Sequence, residues 1–183
     1  MSFRLGLTGS IGMGKSTTAQ MFADEGLPVW DADATVHRLY APGQPAALAI
    51  GRLFPAAIDA DGSVNRAILR TLIQADKTVL DRLNAAVHPL VAEDRAKFLK
   101  AHEAAEIVLL DVPLLYESHI DTACDAVAVV SAPPEVQRER VLARGAMSEA
   151  EFQTILSRQM PDAEKRARAD YIIPTTSLEA ARQ

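Results

Sequence analysis

A chain of 183 residues, 49% apolar, is long enough for one domain with its own core and room for a small inserted lobe. A net charge of −5 excludes general electrostatic attraction to nucleic acid or to an anionic membrane surface, and no apolar run approaches the roughly 20 residues that span a bilayer. The single Cys124 excludes an internal disulfide, and Met1-Ser2-Phe3-Arg4 leads straight into an apolar stretch with no leader pattern, so a soluble cytoplasmic protein is expected.

Phe3-Arg4-Leu5-Gly6-Leu7-Thr8 is short and mostly apolar and is predicted as a strand. It runs into Gly9-Ser10-Ile11-Gly12-Met13-Gly14-Lys15-Ser16, which matches G-x-x-x-x-G-K-[ST], and residues 16–23 carry no helix breaker. Strand, glycine loop and helix in succession are the setting this motif requires. The glycines let successive N–H groups curl around one concavity at the positive end of a helix dipole, where phosphate oxygens sit. Lys15 would reach the β- and γ-phosphates, and the Ser16 hydroxyl would take Mg²⁺. The pattern points to a bound nucleoside triphosphate, with Gly9, Gly12, Met13, Gly14, Lys15, Ser16 and Thr17 as its contacts.

Residues 27–30 read as a second strand, delivering Asp31-Ala32-Asp33 to its C-terminal end, the edge where open α/β sheets place ligands. Alternate strand residues point the same way, so both carboxylates are expected at that edge, as proton acceptor or water-bridged Mg²⁺ partner, or else as caps of the next helix. Helical patterns dominate residues 34–105 (46–54, 65–74 and 78–100), with Leu80, Leu83 and Val87 in register and Pro89 expected to kink or break the last run. Asp59-Ala60-Asp61-Gly62 reads as a turn. Some seventy residues without a convincing strand indicate an inserted helical lobe.

Glu106-Ile107-Val108-Leu109-Leu110-Asp111 is an unbroken apolar run of the kind a buried parallel strand shows, and Ala126-Val127-Ala128-Val129-Val130 is another. Residues 135–144 are predicted helical, with Gly145 placed to end the helix. Ser148-Glu149-Ala150-Glu151 has capping-box spacing, and its helix is expected to run to about Met160. Tyr171-Ile172-Ile173 is a last short strand. Five strands alternating with helices indicate a parallel sheet with helices on both faces.

Asp111 at the end of an apolar strand has the placement of an acid that holds Mg²⁺ through water, and equally that of an ordinary strand-end residue. Glu117 beyond it is either a substrate contact or a solvated loop charge. Arg140 and Arg144 share one helix face at i, i+4, as a basic lid over a transferring phosphoryl group would need, although exposed arginines are common. Arg158-Gln159 is placed to join them. His88 stands in a His-Pro pair without the Cys/His spacing of a zinc site.

Together these residues resemble the dephospho-CoA kinase family from Leu7 to about Asp170. The resemblance rests on the glycine loop from Leu7 to Ser16, Asp31-Ala32-Asp33, His88-Pro89, Asp111-Val112-Pro113-Leu114-Leu115-Tyr116-Glu117, and the spaced set Arg144, Arg158-Gln159 and Ala169-Asp170. It implies a P-loop NTPase fold with a five-stranded parallel sheet flanked by helices, a helical substrate lobe and a lid. The nucleotide core would be residues 1–33, 106–137 and 159–183, the CoA-binding lobe 34–105 and the lid 138–158. It implies transfer of the γ-phosphoryl of Mg·ATP to the ribose 3′-hydroxyl of dephospho-CoA, with Asp33 as base and Lys15 and Arg144 stabilising phosphoryl charge. Ser16, and Asp111 through water, would serve the Mg²⁺. Thr8, Asp33, His88, Leu114, Leu115, Glu117 and Arg140 would line the acceptor site. The partners implied are ATP and dephospho-CoA, with no nucleic acid or membrane, in a monomer or weak homo-oligomer. The family usually follows its last strand with an Asn and a Gly near adenine; Ile173-Pro174-Thr175-Thr176-Ser177 has neither, and the closing helix is expected to be short.

Overall fold

A computed structural model of the chain describes residues 2–145 and 147–183. Met1 and Ala146, which fall in the expected core and lid, lie outside the described residues. The chain divides into two compact units: Met1–Asp31 with His102–Gln183, and Ala32–Ala101. The division falls after Asp31 and before His102, so Asp33, expected with the nucleotide core, lies in the helical unit. In chain order the helices are α1 Lys15–Asp24, α2 Ala32–Leu39, α3 Pro45–Leu53, α4 Arg66–Ala75, α5 Thr78–Ala101, α6 Pro134–Ala143, α7 Glu149–Leu156, α8 Asp162–Arg168 and α9 Leu178–Arg182.

The first unit is built on five parallel strands, β1 Phe3–Thr8, β2 Val29–Asp31, β3 Ile107–Asp111, β4 Ala126–Ser131 and β5 Tyr171–Pro174, in the order β2-β3-β1-β4-β5. Every residue of β4 is buried, as is every residue of β3 after Ile107. Strands buried on both faces need helices on both faces, which is why these two read as continuous apolar runs without alternation. Leu7, Leu109, Ala128 and Val130 pack with Met13, Ala19 and Ala132 into the core beneath the glycine loop. The chain leaves β1 with β3 on one side and β4 on the other, and this reversal of strand order opens the carboxyl edge for a ligand. Register aligns Leu7 with Asp111 and Asp111 with Asp31, so the β1 loop and both strand-end acids share that edge.

The helix expected to run to Met160 is shorter, ending at Leu156, and a further helix that was not expected, α8, begins at Asp162. The capping box of α7 forms, with Ser148 and Glu151 bonding each other's backbone N–H groups. The helix stops at Leu156 because the next amides turn back early, Arg158 N–H to the Ile155 carbonyl and Gln159 N–H to that of Leu156, and Pro161 then starts α8. Asp162 and Glu164 in its first turn, and Lys165, Arg166 and Arg168 in its last, complement its dipole.

The helical unit has its own core, in which Ala46, Ala47, Ile50 and Phe54 of the α3 region meet Val79, Leu83 and Val87 of α5. Pro45 fits the first turn of α3, and Asn65 caps α4 by accepting the Ile68 N–H at 3.0 Å. The buried stripe of α5 is Val79, Leu83 and Val87; Leu80, expected within it, is exposed. Pro89 does not end this helix, which continues to Ala101. An interior proline costs about 3 kcal/mol, and the cost is borne here because Leu83 and Val87 before it and Leu90 and Val91 after it pack on the same core. The Asp59–Gly62 segment is the expected turn: Gly62 N–H bonds the Asp59 carbonyl, and Ile58 and Val64 form a short antiparallel bridge.

Candidate active site

The loop after β1 needs its glycines for two different reasons. A Cβ on Gly9 would stand 2.3 Å from Val130 Cγ2 and 2.9 Å from the Val130 carbonyl, so the backbone passes β4 too closely for any side chain. Gly14 has φ of +87°, left-handed, and forms the N-cap of α1. Thr18 N–H closes the first turn on the Gly14 carbonyl at 3.0 Å. The N–H groups of Lys15, Ser16 and Thr17 precede any intrahelical acceptor, and no acid stands in that turn, so the positive helix end is left for an anion.

Lys15 opens α1, and its Nζ lies 2.5 Å from Asp111 Oδ1. The lysine side chain is 14% exposed and the aspartate 3%, which makes this a nearly dry ion pair at the floor of the loop. Asp111 and the exposed Ser16 offer hard oxygen donors suited to Mg²⁺. Among the described residues no group of three or more His, Cys, Asp or Glu makes a protein cage. A cation held by one or two protein oxygens and completed by phosphates and water fits such a donor set.

Arg140 and Arg144 line one cavity of about 300 Å³ with Gly14, Thr17, Thr18, Thr175 and Ser177. The two arginines thus border a cavity that reaches Gly14 and the first turn of α1. Arg140 is partly committed already, because its guanidinium donates to the Thr175 and Thr176 carbonyls. Thr175 is buried and its hydroxyl bonds the Met13 carbonyl at 2.6 Å, so the segment after β5 is fastened to the phosphate loop without the family's usual Asn and Gly. Met13 contributes through its backbone. Its side chain is 1% exposed in the core, with Sδ accepting the Ala132 N–H, so it offers a ligand no side-chain contact. Arg138 pairs with Glu149 at 2.8 Å, joining α6 to α7.

The loop after β3 is organised around a buried lysine that sequence reasoning missed. Lys165 of α8 is 0% exposed, and its ammonium donates to the Pro113 carbonyl at 3.2 Å and pairs with Glu117 at 3.1 Å. Thr8 donates its hydroxyl to the same carbonyl at 3.0 Å, and Met160 N–H donates to Glu117 at 2.8 Å. Burial is the largest influence on Glu117 and opposes its charge, yet the Met160 N–H, its own N–H and Lys165 together hold its carboxyl below the ordinary range. Thr8 and Glu117, expected as substrate contacts, therefore spend their side chains on shaping the loop. Leu115 is fully buried, close under Gly6, and fills the core; of the expected pair only Leu114 is exposed. Neither the helix over residues 162–168 nor the burial of Lys165 was expected, because a short run of mixed charge gives no sign of which side chain the packing will enclose.

β2 ends at Asp31, and Asp33 is an exposed residue in the first turn of α2. The expectation that Asp31 and Asp33 alternate along one strand fails, because the chain turns helical at Ala32. A carboxylate in a first helical turn is favoured by the dipole in any case. His88 is exposed on α5, also in the helical unit.

Residues 3–179 match the family model for dephospho-CoA kinase. The chain is 63% identical to the dephospho-CoA kinase of Cereibacter sphaeroides, covering 98% of this chain and 90% of that protein. It is 58% identical to that of a Jannaschia species, covering 100% and 93%. A crystal structure of a Thermus thermophilus protein superposes with a TM-score of 0.89 at 34% identity, over 99% of this chain and 92% of that one. The dephospho-CoA kinase of Campylobacter jejuni shares the fold, with a TM-score of 0.68 at 23% identity over 100% and 93%. With the glycine loop after β1, the Lys15–Asp111 pair and two arginines along one cavity beside Gly14, and with the match running through nearly every residue of the chain, this protein belongs to the dephospho-CoA kinase family.

Proposed function

We propose that the protein transfers the γ-phosphoryl group of ATP to the ribose 3′-hydroxyl of dephospho-CoA, the last step in making coenzyme A. In that transfer the 3′-oxygen forms a bond to phosphorus as the bond to the β-phosphate oxygen breaks, and ADP leaves. Asp33 orients the hydroxyl and takes its proton. Lys15 and Arg144 place positive charge against the phosphoryl oxygens, where charge builds in the transition state. Arg140 borders the same cavity while holding the segment after β5. The N–H groups of Gly14, Lys15, Ser16 and Thr17 cradle the phosphates. Ser16, and Asp111 through water, would hold Mg²⁺, which when bound neutralises phosphate charge. Leu114 and His88 contribute to acceptor binding, and Thr8, Leu115 and Glu117 act by shaping the loop that carries Leu114. The protein works in the cytoplasm, as a monomer or weak homo-oligomer.

The observation that carries this reading is the Lys15–Asp111 pair at 2.5 Å, set under an acid-free helix N-terminus and next to a cavity bordered by two arginines. Mixing the protein with Mg·ATP and dephospho-CoA, with AMP and adenosine as competing acceptors, tests it. CoA appearing one-for-one with ADP supports the reading; preferential phosphorylation of a competitor, or ADP without CoA, overturns it.

A further inference from the structure

The peptide of Ile11, in the middle of the phosphate loop, is held on both sides by side-chain amides. Its carbonyl accepts from Gln137 Nε2 at 2.7 Å, and its N–H donates to Gln159 Oε1 at 3.0 Å. Gln137 lies on α6 and is 5% exposed; Gln159 follows α7 in the turn that ends it. The two glutamines sit immediately before and after residues 138–158, the stretch that carries Arg138, Arg140, Arg144 and Arg158. Both roots of the arginine-bearing segment are therefore fastened to one residue of the loop. Packing reinforces the attachment, since a Cβ on Gly12 would stand 2.5 Å from Val141 Cγ2 and 3.1 Å from the Gln137 carbonyl.

We propose that Gln137 and Gln159 are positioning residues for phosphoryl transfer, a clamp on Ile11 that keeps the phosphate loop and the arginine segment in register. A peptide carries one strong donor and one strong acceptor, and within a concavity that must present N–H groups to phosphate, a rotated peptide turns its carbonyl toward negative charge. The clamp forbids that rotation. Gln137 donates to the carbonyl and Gln159 accepts from the N–H, so each end fixes the orientation independently. Because the same two side chains root residues 138–158, Arg140 and Arg144 inherit their placement over the loop from this peptide. The idea rests on the phosphoryl-transfer reading above.

The polarity of the two bonds supplies the test, since glutamate can accept but cannot donate. In Gln159→Leu the Ile11 amide loses its acceptor; its hydrogen exchange in the nucleotide-free protein accelerates, and kcat falls about tenfold, the scale of one hydrogen bond. Gln159→Glu keeps an acceptor, so exchange protection and kcat return toward wild type, even if added negative charge raises the KM for ATP. At position 137 the order reverses: Gln137→Glu sets a carboxylate against a carbonyl and is more damaging than Gln137→Leu. Circular dichroism and melting curves identify any variant that fails to fold, and the within-site comparisons at 159 and at 137 are read separately. Equal impairment of Gln159→Leu and Gln159→Glu, unchanged Ile11 exchange in Gln159→Leu, or a milder Gln137→Glu than Gln137→Leu overturns the clamp. A wild-type protein with a protected Ile11 amide but no CoA product instead overturns the proposed function and leaves the clamp standing.

Discussion

The two units carry opposite formal charge. Ala32–Ala101 has nine Lys and Arg against seven Asp and Glu, net +2, whereas the remainder has ten against seventeen, net −7. The phosphate loop lies in the negative unit. What serves an anion there is not net charge but cations fixed in place, foremost Lys15 against Asp111, while the buried Lys165 against Glu117 supports the loop after β3. In the helical unit two arginines rest on aromatic rings, Arg66 over Tyr40 at 5.3 Å and Arg82 over Phe54 at 4.9 Å, and Arg38 and Lys97 form partly exposed pairs with Asp94 and Glu93. Net charge governs long-range attraction, whereas local chemistry depends on which individual charges have been desolvated and held.

That contrast implies that charge changes in the sheet unit affect both folding and turnover, and those in the helical unit one at most. The largest effect is expected for Lys15→Ala. Turnover falls on the order of 10²-fold or more as phosphoryl charge loses its cation. The melting temperature falls too, because the buried Asp111 loses its ion pair with Lys15. Adding Asp111→Asn should restore the melting temperature without restoring turnover. A double variant that regains activity would break the assignment of Lys15 to the chemistry.

Asp33→Asn comes next, with turnover reduced at least ~10²-fold, ATP binding nearly intact and melting unchanged, since the residue is exposed. Titration calorimetry with ATP and steady-state kinetics separate these effects, and wild-type turnover would leave Asp33 as a first-turn helix acid only.

Lys165→Met should cost about 1–3 kcal/mol of stability, the scale for a buried group deprived of its hydrogen-bond partner. Its pH dependence has a definite sign. The Glu117 carboxyl is lowered in the folded protein from its ordinary 4.5, so its contribution is fully present above that pH and is lost as pH falls through the folded value. The stability gap between wild type and variant, measured by denaturant titration, should be widest near neutrality and narrow below pH 4.5. A gap independent of pH would remove Glu117 from the account. The smallest effect belongs to Arg66→Ala, about 0.5–1 kcal/mol from the lost ring contact, with turnover unchanged.

The strands and the glycine loop were legible because their signals are local. Unbroken apolar runs mark β3 and β4, and a loop of three glycines before Lys15-Ser16 admits few other uses. Gly145 and the Ser148–Glu151 box announced helix ends for the same reason. The strand-end acids were legible only in part: Asp31 and Asp111 align across β2 and β3, but the backbone turns helical at Ala32 and takes Asp33 off the strand. Pro89 misled because a propensity cost of about 3 kcal/mol yields to packing that lies far away in sequence. Thr8, Leu115 and Glu117 bore the right residue types for a binding loop, yet their neighbours at Pro113, Gly6 and Lys165 make them its supports.

The sequence alone determined the fold class, the phosphate loop with Lys15 and Ser16 at its end, and the family, since each depends on short motifs or on periodicity within one element. Tertiary structure alone decided which charges are dry, that Lys165 lies beneath the loop after β3, and that Gln137 and Gln159 meet at Ile11. Those contacts join residues more than forty positions apart, or one hundred and more in the case of Ile11. No local pattern encodes them, because burial and hydrogen-bond partnership are properties of the packed chain.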